Sequence, residues 1–304
     1  MNFLKEDLIS EYDFAIFGLG YESRSINIFQ KKEFTVTETI YAVGYDYFTE
    51  EFSYQSNKTF FKNNDCKIEE VSDEDFKKTI ENIVSEFSDA NTPVKVIIDI
   101  TVMSRHRIAR AIWTCLTLLP KGSVISIKYT ISNFVPPPTI TPPVSEIGAI
   151  INELEGSPGS IGFPPKLLIS LGYEQGKALG AANYIDPGEI IAFVPKSKIG
   201  EFGSFVFDKN ADLLKSVSPE NIFDYNVHFP YSTYINLKSI CLTLIKDSRP
   251  ILLPLGPKII SAISVFLGYE LYPNLPVWRV SSKENEQPVD RTASDHTIAF
   301  SVKN

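Results

Sequence analysis

The chain has 304 residues, of which 43% are hydrophobic, so it can bury one large core or two moderate ones. Its formal net charge of -8 argues against a general duplex DNA-binding protein, which presents a basic face to phosphates. A small anionic ligand held by a few local cations remains compatible with this charge. The three cysteines and three histidines are too dispersed for a metal site or a disulfide framework. No metal site is therefore predicted, and the sequence does not identify a cofactor.

The N-terminal stretch MNFLKEDLISEYD carries acids where a signal peptide needs a basic start and an apolar core. No apolar run approaches the ~20 residues of a membrane span. We therefore expect a cytoplasmic protein that does not associate with membranes. Cys115 and Cys241 lie in apolar runs with helical spacing, which predicts that both are small buried hydrophobic residues.

The first half of the chain alternates strand-like and helix-like segments. Four apolar runs, at 14–18, 40–45, 94–100 and 124–131, are rich in β-branched residues and lack polar alternation. The segment between the second and third runs, 73–88, has apolar residues at helical spacing. This alternation is typical of a parallel sheet buried on both faces by helices. It predicts a Rossmann-like unit over residues 1–135.

A connection rich in proline and glycine follows over residues 136–163, and a short helix is predicted within it at 145–155. The alternating pattern then resumes and predicts a second Rossmann-like unit over residues 164–304. The expected fold class is therefore α/β, with two Rossmann-like units whose mainly parallel sheets are flanked by helices. The predicted strands of the second unit are 166–172, 189–195, 251–256, 276–282 and a short one at 297–302, and its predicted helices are 173–185, 234–247 and 257–268.

The tetrapeptide Leu-Gly-Tyr-Glu occurs three times, at 19–22, 171–174 and 267–270. The first two copies follow an apolar run and precede a helix-like stretch, whereas the third ends a helix-like run. The first two copies therefore indicate a duplicated strand-turn-helix unit that presents a glutamate at a sheet edge.

Ligands of open parallel sheets bind beyond the carboxyl ends of the strands, so the turns at those ends are the candidate sites. The first turn, GLGYESRS, offers Glu22, Arg24 and Ser25, and Gly20 permits close backbone approach. The dinucleotide-binding fingerprint fails because Ser23 replaces its third glycine. Alternatively, the glycines only form the turn, and Glu22 and Ser25 cap the helix.

The second turn, DITVMSRHR, places Asp99 at the end of an apolar strand. Thr101 and Ser104 can cap the next helix. Arg105 and Arg107 in its first turn oppose the helix dipole, which favours an anionic partner. The alternatives are that the arginines cover apolar neighbours, or that Asp99 forms a structural salt bridge with a nearby arginine.

Two further turns belong to the second unit. SLGYEQGK offers Glu174 and Lys177, and LPLGPK places Gly256, Pro257 and Lys258 at a helix start, with proline at the first helical position. Lys258 lies at the unfavourable pole of the helix and is predicted to contact an anion. A P-loop needs a longer glycine-rich run before its lysine, so Walker-type ATP hydrolysis is not expected.

The turn LPLGPKII resembles the small-residue-plus-lysine turn of CRISPR-associated Rossmann-fold (CARF) ligand-sensing domains, and GYESRS takes the place of their other ligand-facing loop. The arrangement also resembles uncharacterised Rossmann-like proteins of bacterial defence loci. The resemblance implies a cytoplasmic homo-oligomer, or a protein with a partner, that binds cyclic oligoadenylates. The chain departs from the CARF pattern at Pro257, where a small polar residue is usual, and no separate nuclease domain is recognisable.

Three functions follow from these turns. The first is a nucleotide-ligand-binding protein, a sensor or effector subunit of a defence-type system. The second is a nucleotide-processing hydrolase, an N-glycosidase or phosphodiesterase, with Glu22, Asp99 or Glu174 as general base. The third is a structural partner subunit. The predicted ligand contacts of the first function are Gly20, Arg24, Ser25, Thr101, Ser104, Arg105, Gly256 and Lys258, and we expect Glu22, Arg24, Asp99 and Arg105 to share one cleft.

Overall fold

The computed structural model describes residues 1–5, 9–88, 92–136, 144–157, 162–281 and 288–304. The chain divides into two compact units, Met1–Asn133 with Gln287–Asn304 and Phe134–Glu286. Both units are α/β, with mainly parallel sheets flanked by helices, which confirms the predicted fold class.

The strands of the described residues are β1 (Asn2–Phe3), β2 (Glu11–Leu19), β3 (Thr35–Tyr45), β4 (Lys67–Val71), β5 (Lys95–Asp99), β6 (Val124–Ser132), β7 (Glu146–Ala149), β8 (Pro165–Ser170), β9 (Glu189–Lys196), β10 (Ile222–Asn226), β11 (Arg249–Pro254), β12 (Trp278–Ser281) and β13 (Ala293–Lys303). The α-helices are α1 (Asn27–Lys31), α2 (Tyr54–Asn63), α3 (Phe76–Ser85), α4 (Arg105–Leu118), α5 (Lys177–Ile185), α6 (Gly200–Lys209), α7 (Ala211–Ser216), α8 (Pro230–Leu244) and α9 (Lys258–Glu270).

The first sheet has the order β1-β13-β6-β5-β2-β3-β4. Strands β2 to β6 are mutually parallel, and the direction of the chain across the sheet reverses between β2 and β5. The two strands at this reversal are buried on both faces, and Phe14, Ile16, Ile97 and Ile98 have no exposed surface. This explains their continuous apolar sequence, because helices cover both sides of a parallel sheet.

The C-terminal strand β13 belongs to the first sheet, which differs from the expected second unit of residues 164–304. It pairs antiparallel with β6, from Ile298 opposite Tyr129 to Lys303 opposite Val124, and it is longer than the expected strand at 297–302. Its alternate side chains are buried in the first unit. One of them, Phe300, stacks on Phe3 of β1 at 4.6 Å between ring centroids. Burial of this alternating face attaches the strand to the first core.

The segment predicted as a helix at 145–155 is instead β7 followed by a short 3-10 helix at Asn152–Leu154. Strand β7 pairs antiparallel with β12, with Ile147 opposite Val280. Its apolar residues have helical spacing, but the available pairing partner overrides that local preference. The second unit begins at Phe134, and residues 137–143 and 158–161 of the predicted connection lie outside the described residues.

The second unit contains a four-stranded parallel sheet of order β10-β9-β8-β11. The chain direction across this sheet reverses between β8 and β11, as it does between β2 and β5. Its core includes Leu167, Ile169 and Leu253, none of which has exposed surface. The two sheets thus repeat one topological plan.

Arg107 fastens α4 to the ends of β3 and β4. Its Nε donates to Asp73 Oδ1 at 2.7 Å, and its two terminal nitrogens donate to the carbonyls of Gly44 at 2.8 Å and Val71 at 2.7 Å. The side chain has no exposed surface, and its guanidinium carbon lies 3.6 Å from the centroid of the Tyr45 ring. The expectation that Arg107 attracts an external anion is therefore wrong, because its donors are used inside the unit.

We predict that Arg107→Lys lowers the free energy of unfolding of the first unit by about 2–4 kcal/mol. The three acceptors each bind a different nitrogen of the planar guanidinium group. The ammonium group of lysine has a single nitrogen and cannot reach all three positions. Urea unfolding followed by circular dichroism measures the effect. Arg279→Lys, at a partly exposed pair with Glu146, is the matched control and is expected to change stability by less than about 0.5 kcal/mol. Equal effects of the two substitutions would contradict the assigned role.

Cys66, Cys115 and Cys241 are buried free thiols, as predicted for Cys115 and Cys241. Burial raises the pKa of Cys115 and of Cys241 to about 12. A thiol must ionise to react with a disulfide reagent, so we predict negligible labelling of the native protein at pH 8 and labelling of the thiols after denaturation. Absorbance of the released thiol reagent measures both reactions. Rapid native labelling of Cys115 would show that its helix opens readily.

Candidate functional site

Each unit has a topological switch point, where ligands of doubly wound sheets bind. In the first unit it lies between the turns 20–26 and 100–104, which follow the adjacent parallel strands β2 and β5. In the second unit it lies between the turns 171–176 and 255–257, which follow β8 and β11. The first two Leu-Gly-Tyr-Glu copies begin the first turn of each pair.

The glycine of each copy allows the two turns of its switch point to pack together. A Cβ atom on Gly20 would lie 3.0 Å from Cβ of Val102, and one on Gly172 would lie 2.5 Å from the carbonyl oxygen of Leu255. Position 172 therefore excludes a side chain because the obstacle is backbone, whereas a side chain at position 20 would require the Val102 side chain to shift by a few tenths of an ångström. The space beside Gly20 is filled by Val102, so the glycine predicted to admit a ligand has a packing role instead.

The remaining positions of the repeat also match. Leu19 and Leu171 are fully buried in their cores. Each glutamate pairs with a cation of its own turn, Glu22 with Arg24 and Glu174 with Lys177. The third copy lies at the end of α9, so it does not share the strand-turn-helix setting. The two equivalent settings support the interpretation that the first two copies record a duplicated unit.

The buried Ser25 side chain forms hydrogen bonds across the first turn. Its hydroxyl donates to the carbonyl of Gly18 at 3.0 Å and accepts from the amide of Gly20 at 3.3 Å, and the residue has no exposed surface. Glu22 is at the N-cap of the 3-10 helix Ser23–Ile26, but its side chain makes no capping hydrogen bond. Ser25, which we predicted as a ligand contact, thus holds the turn in shape.

Glu22 and Arg24 form a buried ion pair. Arg24 Nε lies 2.6 Å from Glu22 Oε2, and the side chains are 3% and 7% exposed. Arg24 also donates to the carbonyl of Thr130 at 2.7 Å, and Arg291 lies 3.5 Å from the other Glu22 oxygen. Burial is the largest single effect and lowers the pKa of Arg24, but the charge interactions and hydrogen bonds with Glu22 and Tyr129 together raise this pKa above its ordinary value. Glu22 therefore acts as the counter-ion of Arg24.

Asp99 lies at the same edge of the sheet as this ion pair. It is 1% exposed, and its Oδ1 accepts from the Thr101 amide at 2.8 Å. The Thr101 hydroxyl accepts from the amide of Thr130 at 3.0 Å, whose carbonyl receives Arg24. A continuous series of hydrogen bonds thus connects Arg24 to Asp99, as expected for side chains that share one end of the sheet.

The helix that follows Asp99 is capped by Ser104. The Ser104 hydroxyl accepts from the Arg107 amide, and its own amide donates to the Tyr45 hydroxyl at 2.7 Å. Arg105 is the first residue of this helix and is half-buried. Of the predicted contacts in the first unit, Ser104 and Arg105 are the least enclosed, whereas Gly20, Arg24, Ser25 and Thr101 are buried among structural partners.

The second switch point includes a surface recess that encloses no cavity and is lined by Gly172, Glu174, Lys177, Ala178 and Leu255. Lys177 is 7% exposed, although it is the first residue of α5, and its Nζ lies 2.7 Å from Glu174 Oε2. The Glu174 side chain is 43% exposed. The carboxylate that neutralises the buried lysine is thus itself in contact with solvent.

The other side of the second switch point is the start of α9. Lys258 is its first residue, and Pro257 is at the N-cap rather than at the first helical position. A Cβ atom on Gly256 would lie 2.5 Å from the Tyr225 hydroxyl and 2.7 Å from Ser170 Oγ. Gly256 is therefore required for packing, and Lys258 is the predicted contact at the start of the helix on this side.

Two aromatic clusters lie at the strand ends and were not predicted from the sequence. In the first unit, Tyr21 contacts Phe48 and Phe52, with ring centroids about 6 Å apart. In the second, Tyr173 contacts Phe202 at 5.6 Å and Phe134 at 6.3 Å. The tyrosine of each repeat is the common member, and the run of aromatic residues at 45–52 was the signal available in the sequence.

The predicted catalytic carboxylates are divided between the units, with Glu22 and Asp99 in the first and Glu174 in the second. Within the described ranges no group of three or more His, Cys, Asp or Glu residues has the geometry to hold a metal ion. In the same ranges no helix is both long enough and apolar enough to cross a membrane.

No family model matches the sequence, and comparison with curated proteins finds no match. Among solved structures, the chain is similar to the cytoplasmic domain of a prokaryotic cation chloride cotransporter, with 9% identity over 90% of this chain and 98% of that one and a TM-score of 0.25. It is also similar to phosphoethanolamine N-methyltransferase 1 of Haemonchus contortus, with 6% identity over 81% and 69% of the two chains and a TM-score of 0.25. Likenesses this weak carry no argument about function.

We predict that Glu22→Gln lowers the free energy of unfolding by about 3 kcal/mol, because it leaves the buried Arg24 without its counter-ion. Replacing both partners, as in Glu22→Leu with Arg24→Met, is expected to recover part of the loss. Asp224→Asn, at the exposed ion pair with Lys196 in the second unit, is the matched control and is expected to have a small effect. Chemical denaturation of the four proteins measures these differences. A purely catalytic Glu22 would leave stability unchanged.

Proposed function

We propose that the chain is a nucleotide-ligand-binding protein that holds an anionic group of its ligand at the second switch point. The observation that carries this proposal is the pair of lysines, Lys177 and Lys258, that begin α5 and α9 on either side of this switch point. A defence-type sensor or effector subunit is the biological role that we propose for it.

The two helix starts favour an anion for the same reasons. Helices α5 and α9 have 9 and 13 residues, neither has an acidic residue in its first turn, and neither has a side-chain cap. The N-terminal amides of a helix carry partial positive charge, so an adjacent lysine is unfavourable unless an anion compensates both. A phosphate group can accept hydrogen bonds from amides and lysines at such a position.

The surroundings of the recess support a nucleotide rather than a simple phosphate. The recess encloses no cavity, so a ligand would lie over it and place an anionic group against the two helix starts. Tyr173 lies between two residues that line the recess and belongs to the aromatic cluster with Phe134 and Phe202. Aromatic rings at this position suit a nucleobase, which stacks on them.

Glu174 is an internal competitor for the ligand in this proposal. Its carboxylate contacts the Lys177 ammonium group at 2.7 Å, where an oxygen of a bound phosphate would be placed. Because the Glu174 side chain is 43% exposed, it can move into solvent and remain hydrated when an anion takes its place. Binding therefore exchanges one carboxylate for one ligand anion at the lysine.

The alternative of a hydrolase is less well supported, because each predicted general base is already engaged. Glu22 neutralises Arg24, Asp99 accepts a backbone hydrogen bond from Thr101, and Glu174 pairs with Lys177. A general base must reach the proton that it removes from the substrate or water. The nearly complete burial of Asp99 also keeps it from a ligand outside the turn.

The resemblance of LPLGPKII to the CARF lysine turn suggests which nucleotides to test. Cyclic oligoadenylates carry several phosphates and several adenine bases, which matches the combination of lysines and aromatic rings. Adenosine monophosphate provides the minimal ligand with one phosphate and one base, and inorganic phosphate provides the anion alone.

We predict that Lys258→Ala and Lys177→Ala each weaken binding of cyclic tetra-adenylate by about 1–3 kcal/mol, the scale of a charge-assisted hydrogen bond. Lys258→Ala is expected to leave the melting temperature almost unchanged. Isothermal titration calorimetry measures the affinity, and inorganic phosphate should compete with the nucleotide. Lys215→Ala, at a highly exposed lysine of the same unit, is the matched control.

The reciprocal substitution, Glu174→Gln, is expected to strengthen binding, because it removes the competing carboxylate while preserving the shape of the turn. If Lys258→Ala retains full affinity but melts at a lower temperature, Lys258 has a structural role and the proposed site is wrong. Conversion of the nucleotide by the wild-type protein, abolished by Glu174→Gln, would favour the hydrolase instead.

A further inference from the structure

An exposed aromatic surface follows β3 in the first unit, on residues 45–52, which we call the acidic aromatic loop. Tyr47, Phe48 and Phe52 are 45%, 36% and 58% exposed. They form a continuous series of ring contacts, from Tyr47 to Phe48 at 5.2 Å, and through Tyr21 to Phe52 at 6.1 Å and 6.0 Å. Single exposed aromatic residues are ordinary, whereas a contiguous group of them marks an interaction surface.

The charge of this loop restricts what can bind to it. Asp46, Glu50 and Glu51 are all exposed among the rings, and residues 45–57 include no lysine or arginine. The chain as a whole has a net charge of -8. A nucleic acid or another polyanion would be repelled by this surface, whereas a cationic group would be attracted to both the carboxylates and the ring faces.

The backbone of the loop holds the rings outward at a cost in conformational energy. Phe48 and Phe52 have φ angles of 58° and 40°, a left-handed conformation that bulky residues rarely adopt. Hydrogen bonds fix the two ends of the loop, from the Ser53 amide to the Tyr21 carbonyl at 3.0 Å and from the Ser104 amide to the Tyr45 hydroxyl at 2.7 Å. The exposed rings are therefore presented by an anchored loop.

The inner end of the same aromatic series already binds a guanidinium group. Arg107 lies with its guanidinium carbon 3.6 Å from the Tyr45 ring centroid while its Nε donates to Asp73. The Tyr45 ring in turn contacts Tyr47 at 5.1 Å. The Tyr45 ring and the Asp73 carboxylate thus bind an arginine inside the unit. The exposed part of the loop presents the same kinds of group, aromatic rings and carboxylates, to solvent.

We propose that the acidic aromatic loop is a docking surface for a basic, arginine-bearing segment of a partner protein. Guanidinium groups of the partner would lie on the faces of Tyr47, Phe48 and Phe52 and pair with the neighbouring carboxylates. Arginine is favoured over lysine because its planar group stacks on rings while donating to a carboxylate. This surface is in the first unit and is independent of the nucleotide site proposed for the second.

The proposal is tested with the full chain and a short fluorescein-labelled peptide of alternating arginine and glycine, by fluorescence anisotropy at low ionic strength. The comparison peptides contain lysine, or neutral citrulline, in place of arginine. The first variant, Tyr47→Ser with Phe52→Gly, removes two rings from the loop, and glycine adopts the positive φ of position 52 without strain. The second variant, Glu50→Gln with Glu51→Gln, removes two negative charges from the loop. The matched controls are Tyr184→Ser, at a ring that is 68% exposed in the second unit, and Glu220→Gln, at an exposed carboxylate there.

We expect the arginine peptide to bind more tightly than the lysine peptide, and the citrulline peptide not to bind. Each loop variant should weaken binding by about fivefold or more with an unchanged melting temperature, while both controls bind like the wild type. Loss of affinity in the charge variant alone would mean non-specific attraction and would overturn the proposal. Absence of peptide binding would overturn it too, as would loop-dependent binding of a labelled single-stranded oligonucleotide instead of the peptide.

Discussion

The carboxyl edge of the first sheet depends on two buried guanidinium groups that are neutralised inside their own unit. Arg24 pairs with Glu22, and Arg107 pairs with Asp73. Arg24 also donates to the backbone carbonyl of Thr130, and Arg107 donates to those of Gly44 and Val71, so the two arginines connect segments that are distant in sequence. A buried cation without these acceptors would cost several kcal/mol. The arrangement of the turns therefore follows from the need to supply acceptors.

Much of the fold could be predicted from the sequence. Strands that are buried on both faces contain continuous runs of β-branched residues, whereas helices that are buried on one face show apolar residues at helical spacing. The segment 94–100 is an example, since Val96, Ile97 and Ile98 of β5 are all buried and alternate between the two faces of the sheet. Pairing partners could not be predicted in the same way. The strand that contains Phe300 was predicted, but the local sequence does not indicate that Phe300 belongs to the core of the first unit. At 145–155 a helical spacing concealed a strand whose partner is more than a hundred residues away.

The candidate turns could also be predicted, because position after a buried strand is visible in the sequence. The direction in which each side chain points could not be predicted, because it depends on tertiary contacts. Arg105 and Arg107 are two residues apart, yet one is half-buried at the helix start and the other is completely enclosed. Gly20 and Ser25 have sequence features of a ligand turn, but their contacts are internal. The two copies of the turn share the close approach of their glycine to the neighbouring turn, whereas the groups around them differ.

The position of β13 has a consequence for synthesis of the protein. Residues 134–286, which have a core of their own, separate β6 from β13 along the chain. As the ribosome makes the chain, the whole second unit emerges before β13 does, so β6 waits with one backbone edge unpaired. An unpaired edge is a template for strands of other molecules. The nascent protein is therefore open to intermolecular association at this edge throughout the synthesis of the second unit, until β13 is released and pairs with β6.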